Sequence, residues 1–150
     1  MELILWRHAD AFEGGTDLLR ELTPKGHKQA KHMAAWLNAR MPVGTRILVS
    51  PAVRAQQTAD TVGRPFTTDT ALAPDSDPMT LLLAAKWPES SDTVLLIGHQ
   101  PALGRAAMLL LTGVESELNI KKSGIIWLNN RIRQETQQNT LRAALSPELI

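Results

Sequence analysis

Short apolar runs alternate along the chain with segments of helical periodicity. Three runs are almost continuously apolar, as strands buried on both faces of a sheet are: Glu2–Trp6, Arg46–Val49 and Thr93–Ile97. Between the first two runs, four apolar residues recur at the i, i+3, i+4, i+7 spacing of one helix face. They are Ala30, Met33, Ala34 and Leu37. This alternation of strand and helix predicts an α/β fold.

Proline marks the expected starts of four helices. In each case it follows a polar residue. Proline favours the first helical turn, and threonine, serine and aspartate are good N-caps. The four pairs are Thr23-Pro24, Ser50-Pro51, Asp77-Pro78 and Gln100-Pro101. We expect the first helix to end near Arg40, the second near Val62 and the fourth near Leu111.

The remaining segments complete a single predicted domain over residues 1–150. Ala9–Leu22 has no clear period and contains two adjacent glycines, which indicates a loop. Gly124–Leu128 and Thr140–Leu145 are expected to form a terminal pair of strands. The predicted fold class is a three-layer α/β/α sandwich around a mainly parallel sheet.

Composition excludes several classes of protein. The net charge of +1 argues against a protein built mainly to bind nucleic acid or anionic lipid. The longest apolar run has six residues, Ala106–Leu111, whereas a membrane span needs about 18 or more. The absence of cysteine excludes disulfides and cysteine nucleophiles. No signal peptide is visible at the N-terminus, so we expect a cytoplasmic protein.

Candidate chemistry follows directly after the predicted strands. Arg7 and His8 follow the first strand, Arg54 lies one helical turn beyond the second, and His99 follows the third. Because the carboxyl ends of parallel strands meet at one edge of a sheet, we expect these four side chains to lie close together.

Two arginines and two histidines suit phosphoryl transfer. Arginine binds phosphate through two parallel hydrogen bonds and keeps its charge at neutral pH, so Arg7 and Arg54 are expected to bind the substrate phosphate. Imidazole can act as a covalent nucleophile, a role open to His8. A second imidazole, His99, can stabilise charge on the phosphoryl oxygens if it is protonated. We therefore expect a phosphoryl-transfer site that needs no metal and no cofactor.

Four ordered segments resemble the motifs of the histidine phosphatase superfamily. Arg7-His8 resembles its Arg-His-Gly signature, and Leu22–Gly26 is similar to its LTxxG element. Ser50–Ala59 resembles its SPxxRAxQTA element, and Val94–Gly104 resembles the segment that carries its second histidine. The short chain is most similar to the SixA branch, the bacterial phosphohistidine phosphatases.

The resemblance implies a role for each matched residue. His8 would be the nucleophile, Arg7 and Arg54 would hold the phosphate, and His99 would complete the site. The substrate would be phosphohistidine on a phosphotransfer protein, such as a domain of a two-component relay. Two alternatives stay open, a small-molecule phosphomonoesterase of the same superfamily and a weakly active phosphohistidine-binding module.

The sequence departs from the family pattern at two points. Ala9 stands where the signature has glycine, and we expect activity to survive this one extra methyl group. Larger members also carry an acidic residue on an inserted cap, whereas only 44 residues separate Arg54 from His99 here. The missing acid favours a phosphoramidate such as phosphohistidine, because imidazole leaves more readily than an alkoxide.

Several polar residues have a functional and a structural interpretation. Arg20 could bind substrate phosphate, although an ion pair with Asp17 or Glu21 explains it better. Two loop carboxylates, Asp10 and Glu13, could supply an acid near His8. The pair Lys121-Lys122 is a solvated turn or a docking point for an acidic partner. His27 and His32 are interpreted as surface residues, not metal ligands. We expect a monomer.

Overall fold

The computed structural model describes residues 1–150 as ten regular elements joined by short connections. The strands are β1 (Glu2–Arg7), β2 (Arg46–Val49), β3 (Thr67–Thr68), β4 (Val94–Gly98), β5 (Ile125–Arg133) and β6 (Thr136–Leu145). The helices are α1 (Pro24–Asn38), α2 (Val53–Asp60), α3 (Pro78–Ala84) and α4 (Ala102–Thr112). Single turns of 3-10 helix occur at Asp17–Leu19, Thr70–Leu72 and Pro147–Leu149. No helix has the length and apolar character needed to cross a bilayer.

The six strands form one sheet in the order β3-β2-β4-β1-β5-β6. The first four strands in this order run parallel, whereas β5 lies antiparallel to β1 and β6 lies antiparallel to β5. The prediction of a mainly parallel sheet is therefore confirmed. The antiparallel pair is the terminal hairpin.

Alternation along β1 divides the core between the two faces of the sheet. Leu3 and Leu5 pack with residues of α3 and α4, and Ile4 and Trp6 pack with residues of α1 and α2. Successive side chains of a strand point to opposite faces, so a strand covered on both sides is apolar throughout. The helices thus cover both faces, which confirms the predicted three-layer sandwich.

The predicted helix starts are correct where a side chain caps the helix. The Thr23 hydroxyl accepts a hydrogen bond from the Gly26 amide at 3.0 Å, and Asp77 accepts one from the Thr80 amide at 2.9 Å. The three predicted helix ends lie within two residues of those observed. Gly113 closes α4 in the left-handed conformation, with φ at 79°.

The predicted start of α2 at Ser50-Pro51 is wrong. The helix begins at Val53, and Ala52 precedes it without any side-chain cap. The Ser50 hydroxyl accepts from the amide of Ala52, which precedes the helix, at 3.1 Å, and it also bonds the ring of His99. The fourth start is shifted less, since α4 begins one residue after Pro101.

The terminal hairpin is longer than predicted. Its outer half, in β5 and β6, is exposed on both faces, so no buried periodicity marks it in the sequence. Gln134 and Glu135 form the turn with φ values of 50° and 63°. Such turns favour glycine or asparagine, and neither residue type is present to indicate the turn.

Candidate active site

The ends of three adjacent strands bring the predicted residues to one edge of the sheet. β1 pairs with β4 up to Arg7 and Gly98, and the His8 amide then donates to the Gly98 carbonyl at 3.1 Å. The Ser50 amide, at the end of β2, donates to Ile97 of β4 at 3.0 Å. These backbone bonds place the His8 and His99 rings 5.0 Å apart between centroids.

Arg54 joins the two histidines. It lies in the first turn of α2 and its side chain is only 3% exposed. Its Nε donates to Nε2 of His8 at 3.3 Å, and its Nη2 lies 3.3 Å from Nδ1 of His99. Arginine can only donate, so each of these ring nitrogens accepts and carries no proton.

The tautomers of both histidines follow from these contacts. Nδ1 of His8 lies 2.7 Å from the Ala9 carbonyl oxygen, which can only accept, so Nδ1 carries the proton. Nε2 of His99 lies 2.7 Å from the Ser50 hydroxyl, and it donates there because its other nitrogen accepts from Arg54. Nε2 of His8 is therefore the unprotonated nitrogen, as a nucleophile requires, and its lone pair accepts the hydrogen bond from Nε of Arg54.

Burial keeps both rings neutral. His8 is 7% exposed and His99 is 5% exposed. Burial lowers the pKa of His8 to about 4; the hydrogen bond to Ala9 opposes this shift, and the charges of Arg54 and Arg7 add to it. Burial, with smaller contributions from His8 and Arg54, lowers the pKa of His99 to about 3. The protonated His99 expected for charge stabilisation is thus not the form that this environment favours.

Asp17 is a site residue that the sequence did not reveal. Its carbonyl oxygen accepts from Nη1 of Arg54 at 2.7 Å, and its carboxylate accepts from Nη2 at 3.2 Å. Burial raises the pKa of Asp17. The hydrogen bond from Arg20 and the charge of Arg54 lower this pKa by more, so the net shift is downward. The carboxylate is therefore ionised and neutralises the buried guanidinium.

Arg20 forms the ion pair that the sequence favoured. Its Nε and Nη2 donate to one carboxylate oxygen of Asp17 at 3.2 and 3.1 Å. Its Nη1 donates to the Phe12 carbonyl at 2.9 Å. Asp17 therefore bridges Arg20 and Arg54, and a phosphate-binding role of Arg20 stays a prediction.

The guanidinium of Arg7 makes no hydrogen bond to the two histidines. Its Nη1 donates to the Ile120 carbonyl at 2.8 Å, and its Nε is buried without a partner. Its charge nevertheless contributes to the lowered pKa of His8. Arg7 thus borders the histidine cluster and also faces a groove beside it.

The two loop carboxylates considered as acids contact other residues. Asp10 accepts from Lys122 at 2.8 Å and from the Thr23 hydroxyl at 2.6 Å. The hydrogen bond from Lys122, followed by that from Thr23, lowers the pKa of Asp10. Glu13 lies 3.9 Å from Arg20. Neither carboxylate bonds His8.

The residues that follow Arg54 on α2 also position the loops of the site. The Thr58 hydroxyl accepts from the Ala9 amide at 3.1 Å, and the Gln57 side chain accepts from the Leu22 amide at 2.8 Å. Ala9 has a negative φ, and its methyl group is fully buried. Alanine therefore fits at the signature position without backbone strain.

His27 and His32 lie on α1, outside the histidine cluster. No group of three or more histidine, aspartate or glutamate side chains could hold a metal ion.

Comparison with known proteins places this constellation in a family. The model of the histidine phosphatase superfamily (branch 1) matches residues 3–75. The phosphohistidine phosphatase SixA of Escherichia coli K12 is 31% identical over 122 residues, which cover 75% of this chain and 76% of SixA. The chain belongs to the histidine phosphatase superfamily. It is a phosphatase of the SixA-like branch.

Solved structures show the same fold for this histidine phosphatase. A protein histidine phosphatase SixA complexed with tungstate matches with a TM-score of 0.82 and 29% identity, and the match covers 99% of each chain. A putative phosphohistidine phosphatase SixA from Nakamurella multipartita matches with a TM-score of 0.80 and 23% identity, over 97% of this chain and 95% of the other.

Proposed function

We propose that this histidine phosphatase removes the phosphoryl group from phosphohistidine on a phosphotransfer protein. The reaction proceeds through a phosphorylated His8 and without a resident metal. The single observation that carries the proposal is the position of Arg54, which contacts both His8 and His99 and holds Nε2 of His8 in its unprotonated form. The E. coli relative named phosphohistidine phosphatase supports the choice of substrate.

In the first step, Nε2 of His8 gives up the hydrogen bond from Nε of Arg54 and attacks the phosphorus atom. A new P–N bond forms while the P–N bond to the substrate imidazole breaks, and the leaving imidazole takes a proton from water. The His8 ring gains positive charge as it bonds phosphorus. The Ala9 carbonyl, 2.7 Å from Nδ1, stabilises that charge through the hydrogen bond it accepts.

In the second step, water hydrolyses the phosphorylated His8. The P–N bond to Nε2 breaks, phosphate leaves, and the ring returns to its neutral form with the proton on Nδ1. Arg54 and Arg7 stabilise the charge on the phosphoryl oxygens in both steps. A phosphoryl group beside His99 also raises the pKa of that ring, so that His99 takes up a proton and donates to a phosphoryl oxygen.

Arg54 has to exchange one partner for another during this reaction. Both of its terminal nitrogens contact Asp17, and these nitrogens are the ones that would clamp a phosphate. Asp17 therefore holds the buried guanidinium in place and is displaced by the more highly charged phosphoryl group.

The protonation states of the carboxylates favour a phosphoramidate over an ester. An alkoxide leaving group needs a proton donor, and the two carboxylates at the site, Asp10 and Asp17, both have a lowered pKa. An imidazole leaves without such a donor. Phosphohistidine therefore fits the site better than the alternative, a small phosphate ester.

The short connection between Arg54 and His99 is consistent with a protein substrate, because it adds no cap over the site. This interval holds the rest of α2, the two-residue β3, one 3-10 turn, α3 and β4, and no inserted cap. We further propose that the substrate is a phosphotransfer domain of a bacterial two-component relay in the cytoplasm, and that the phosphatase acts as a monomer.

Phosphate release from a phosphorylated histidine phosphotransfer domain tests the proposal. We expect release by the wild-type protein, none by His8→Ala, and wild-type rates for His27→Ala, which changes a histidine outside the site. An alkaline quench followed by intact-mass measurement should show one phosphoryl group on the wild type and none on His8→Ala. Release from p-nitrophenyl phosphate but not from the phosphotransfer domain would favour the small-ester alternative instead.

A further inference from the structure

A basic groove adjoins the proposed site. It has a volume of about 630 Å³, and nine of the ten residues that line it are polar or charged. We define it by its five cations, Arg7, Lys25, Lys28, Lys121 and Lys122. Only one carboxylate, Glu148, lines the same surface. The net charge of the chain is +1, so this groove is a local concentration of positive charge.

Part of that charge has no counter-ion within the protein. Lys121 pairs with Glu148 at 2.8 Å, and Lys122 pairs with Asp10 at 2.8 Å. Lys25 and Lys28 are exposed and take part in none of the salt bridges of the structure. They stand one turn apart on α1 and face the same groove.

Arg7 connects the groove to the catalytic centre. It precedes His8, its charge acts on the His8 ring, and its guanidinium lines the groove. A substrate whose phosphoryl group lies at His8 therefore extends over Arg7 towards the lysines. The phosphoryl charge is already matched by Arg54 and Arg7, so the lysines are available for further negative groups of the substrate.

We infer that the basic groove binds an acidic surface of the phosphohistidine-bearing protein, with carboxylates close to the phosphorylated residue. Because the occupant is the substrate of the proposed function, the inference rests on that function. Four of the five cations are lysines, which attract carboxylates as mobile point charges and do not form the fixed forks of a small-molecule phosphate site. Nucleic acid and lipid fit less well, because the imidazole of His32 is the single aromatic ring that lines the groove and Pro147 is its single apolar residue.

Exposed charges at the edge of an interface act mainly on the association rate. We therefore expect the groove to raise kcat/KM for acidic substrates by about tenfold at low salt, and the advantage to fade at about 0.5 M salt, where the Debye length shrinks to a few ångströms.

Two synthetic peptides test this inference. Each carries one phosphohistidine, flanked by glutamates in one peptide and by glutamines in the other. The wild type should prefer the acidic peptide about tenfold in kcat/KM at low salt. Lys25→Glu/Lys28→Glu should lose or reverse that preference and hydrolyse the neutral peptide at the wild-type rate. Glutamate at position 25, in the first turn of α1, suits the helix dipole, and position 28 is exposed, so we expect this variant to fold.

Arg131→Glu/Arg133→Glu is the matched control. It makes the same change in net charge on the exposed hairpin, beyond the opposite end of β1, and should keep the wild-type preference. Retention of the preference by Lys25→Glu/Lys28→Glu, or its loss in the control, would overturn the inference.

The failure of the proposed function gives a different result. In that case the wild type hydrolyses neither peptide. Binding of the labelled peptides to the His8→Ala protein, measured by fluorescence anisotropy, then tests which ligand the groove binds. Tighter binding of the acidic peptide, lost on adding Lys25→Glu/Lys28→Glu, supports an acidic partner. Equal binding of the two peptides, with lysine-dependent binding of labelled double-stranded DNA, would assign the groove to nucleic acid and refute the inference.

Discussion

The two neutral histidines should make the protein lose stability as the pH falls below 7. Burial lowers the pKa of His8 to about 4 and that of His99 to about 3, whereas both have an ordinary value near 6.5 in the unfolded chain. The unfolded chain therefore binds more protons than the folded protein between these values. Stability is fully present above about pH 6.5 and falls as the pH drops towards the folded values.

The size of this effect follows from the pKa differences. Between about pH 7.5 and pH 5, each histidine should cost about 2 kcal/mol of unfolding free energy, and the pair about 4 kcal/mol. Most carboxylates titrate below this window, so the histidines dominate it. Replacing His8 by glutamine, which does not titrate, should halve the loss.

Urea unfolding followed by tryptophan fluorescence at several pH values measures this loss. We compare the slope of unfolding free energy against pH for the wild type, for His8→Gln and for His99→Gln. His32→Gln, on the exposed face of α1, controls for the loss of a histidine as such. If the slopes of the wild type and His8→Gln coincide, the assignment of a neutral, buried His8 is wrong.

Two further predictions concern residues that hold the site in place. A Cβ at Gly26 would overlap the Asp10 carbonyl. Gly26→Ala should therefore lower stability by about 2 kcal/mol and kcat/KM by at least about tenfold, as measured by thermal melts and turnover assays. Gly44 has open space around it, so Gly44→Ala should change neither quantity. Asp17→Asn removes the charge that competes for Arg54, so the inhibition constant for tungstate should fall about threefold or more; an unchanged constant would show that Asp17 and the oxyanion do not compete.

The sequence reveals most of the fold because apolar runs and caps are local signals. The buried strands β1, β2 and β4 are continuous apolar runs, and Thr23 and Asp77 cap their helices as expected. The start of α2 is predicted two residues early because the Ser50 hydroxyl bonds the Ala52 amide and the His99 ring and caps no amide of the helix. The contact with His99 joins residues far apart in the chain. Propensity rules treat serine before proline as a cap and contain no information about such a partner.

Part of the site can be predicted, because three of its residues follow strands that the sequence reveals. The rule that ligands bind at the carboxyl ends of parallel strands places His8, Arg54 and His99 together. For Asp17, the sequence indicates only a pairing with Arg20, three residues away. Its bond to Arg54 spans 37 residues, and nothing in the local sequence indicates it. The one available signal was an acidic residue in the loop that follows the histidine signature.

The backbone bond between His8 and Gly98 has a consequence for how the enzyme can change. The rings of His8 and His99 are 5.0 Å apart, close to the spacing of neighbouring strands in any sheet. Their separation is therefore set by main-chain geometry that every sequence of this fold shares. Side chains on the faces of the sheet can be exchanged while the distance between the two rings stays the same. Specificity can then diverge through the surrounding loops and surface charges alone.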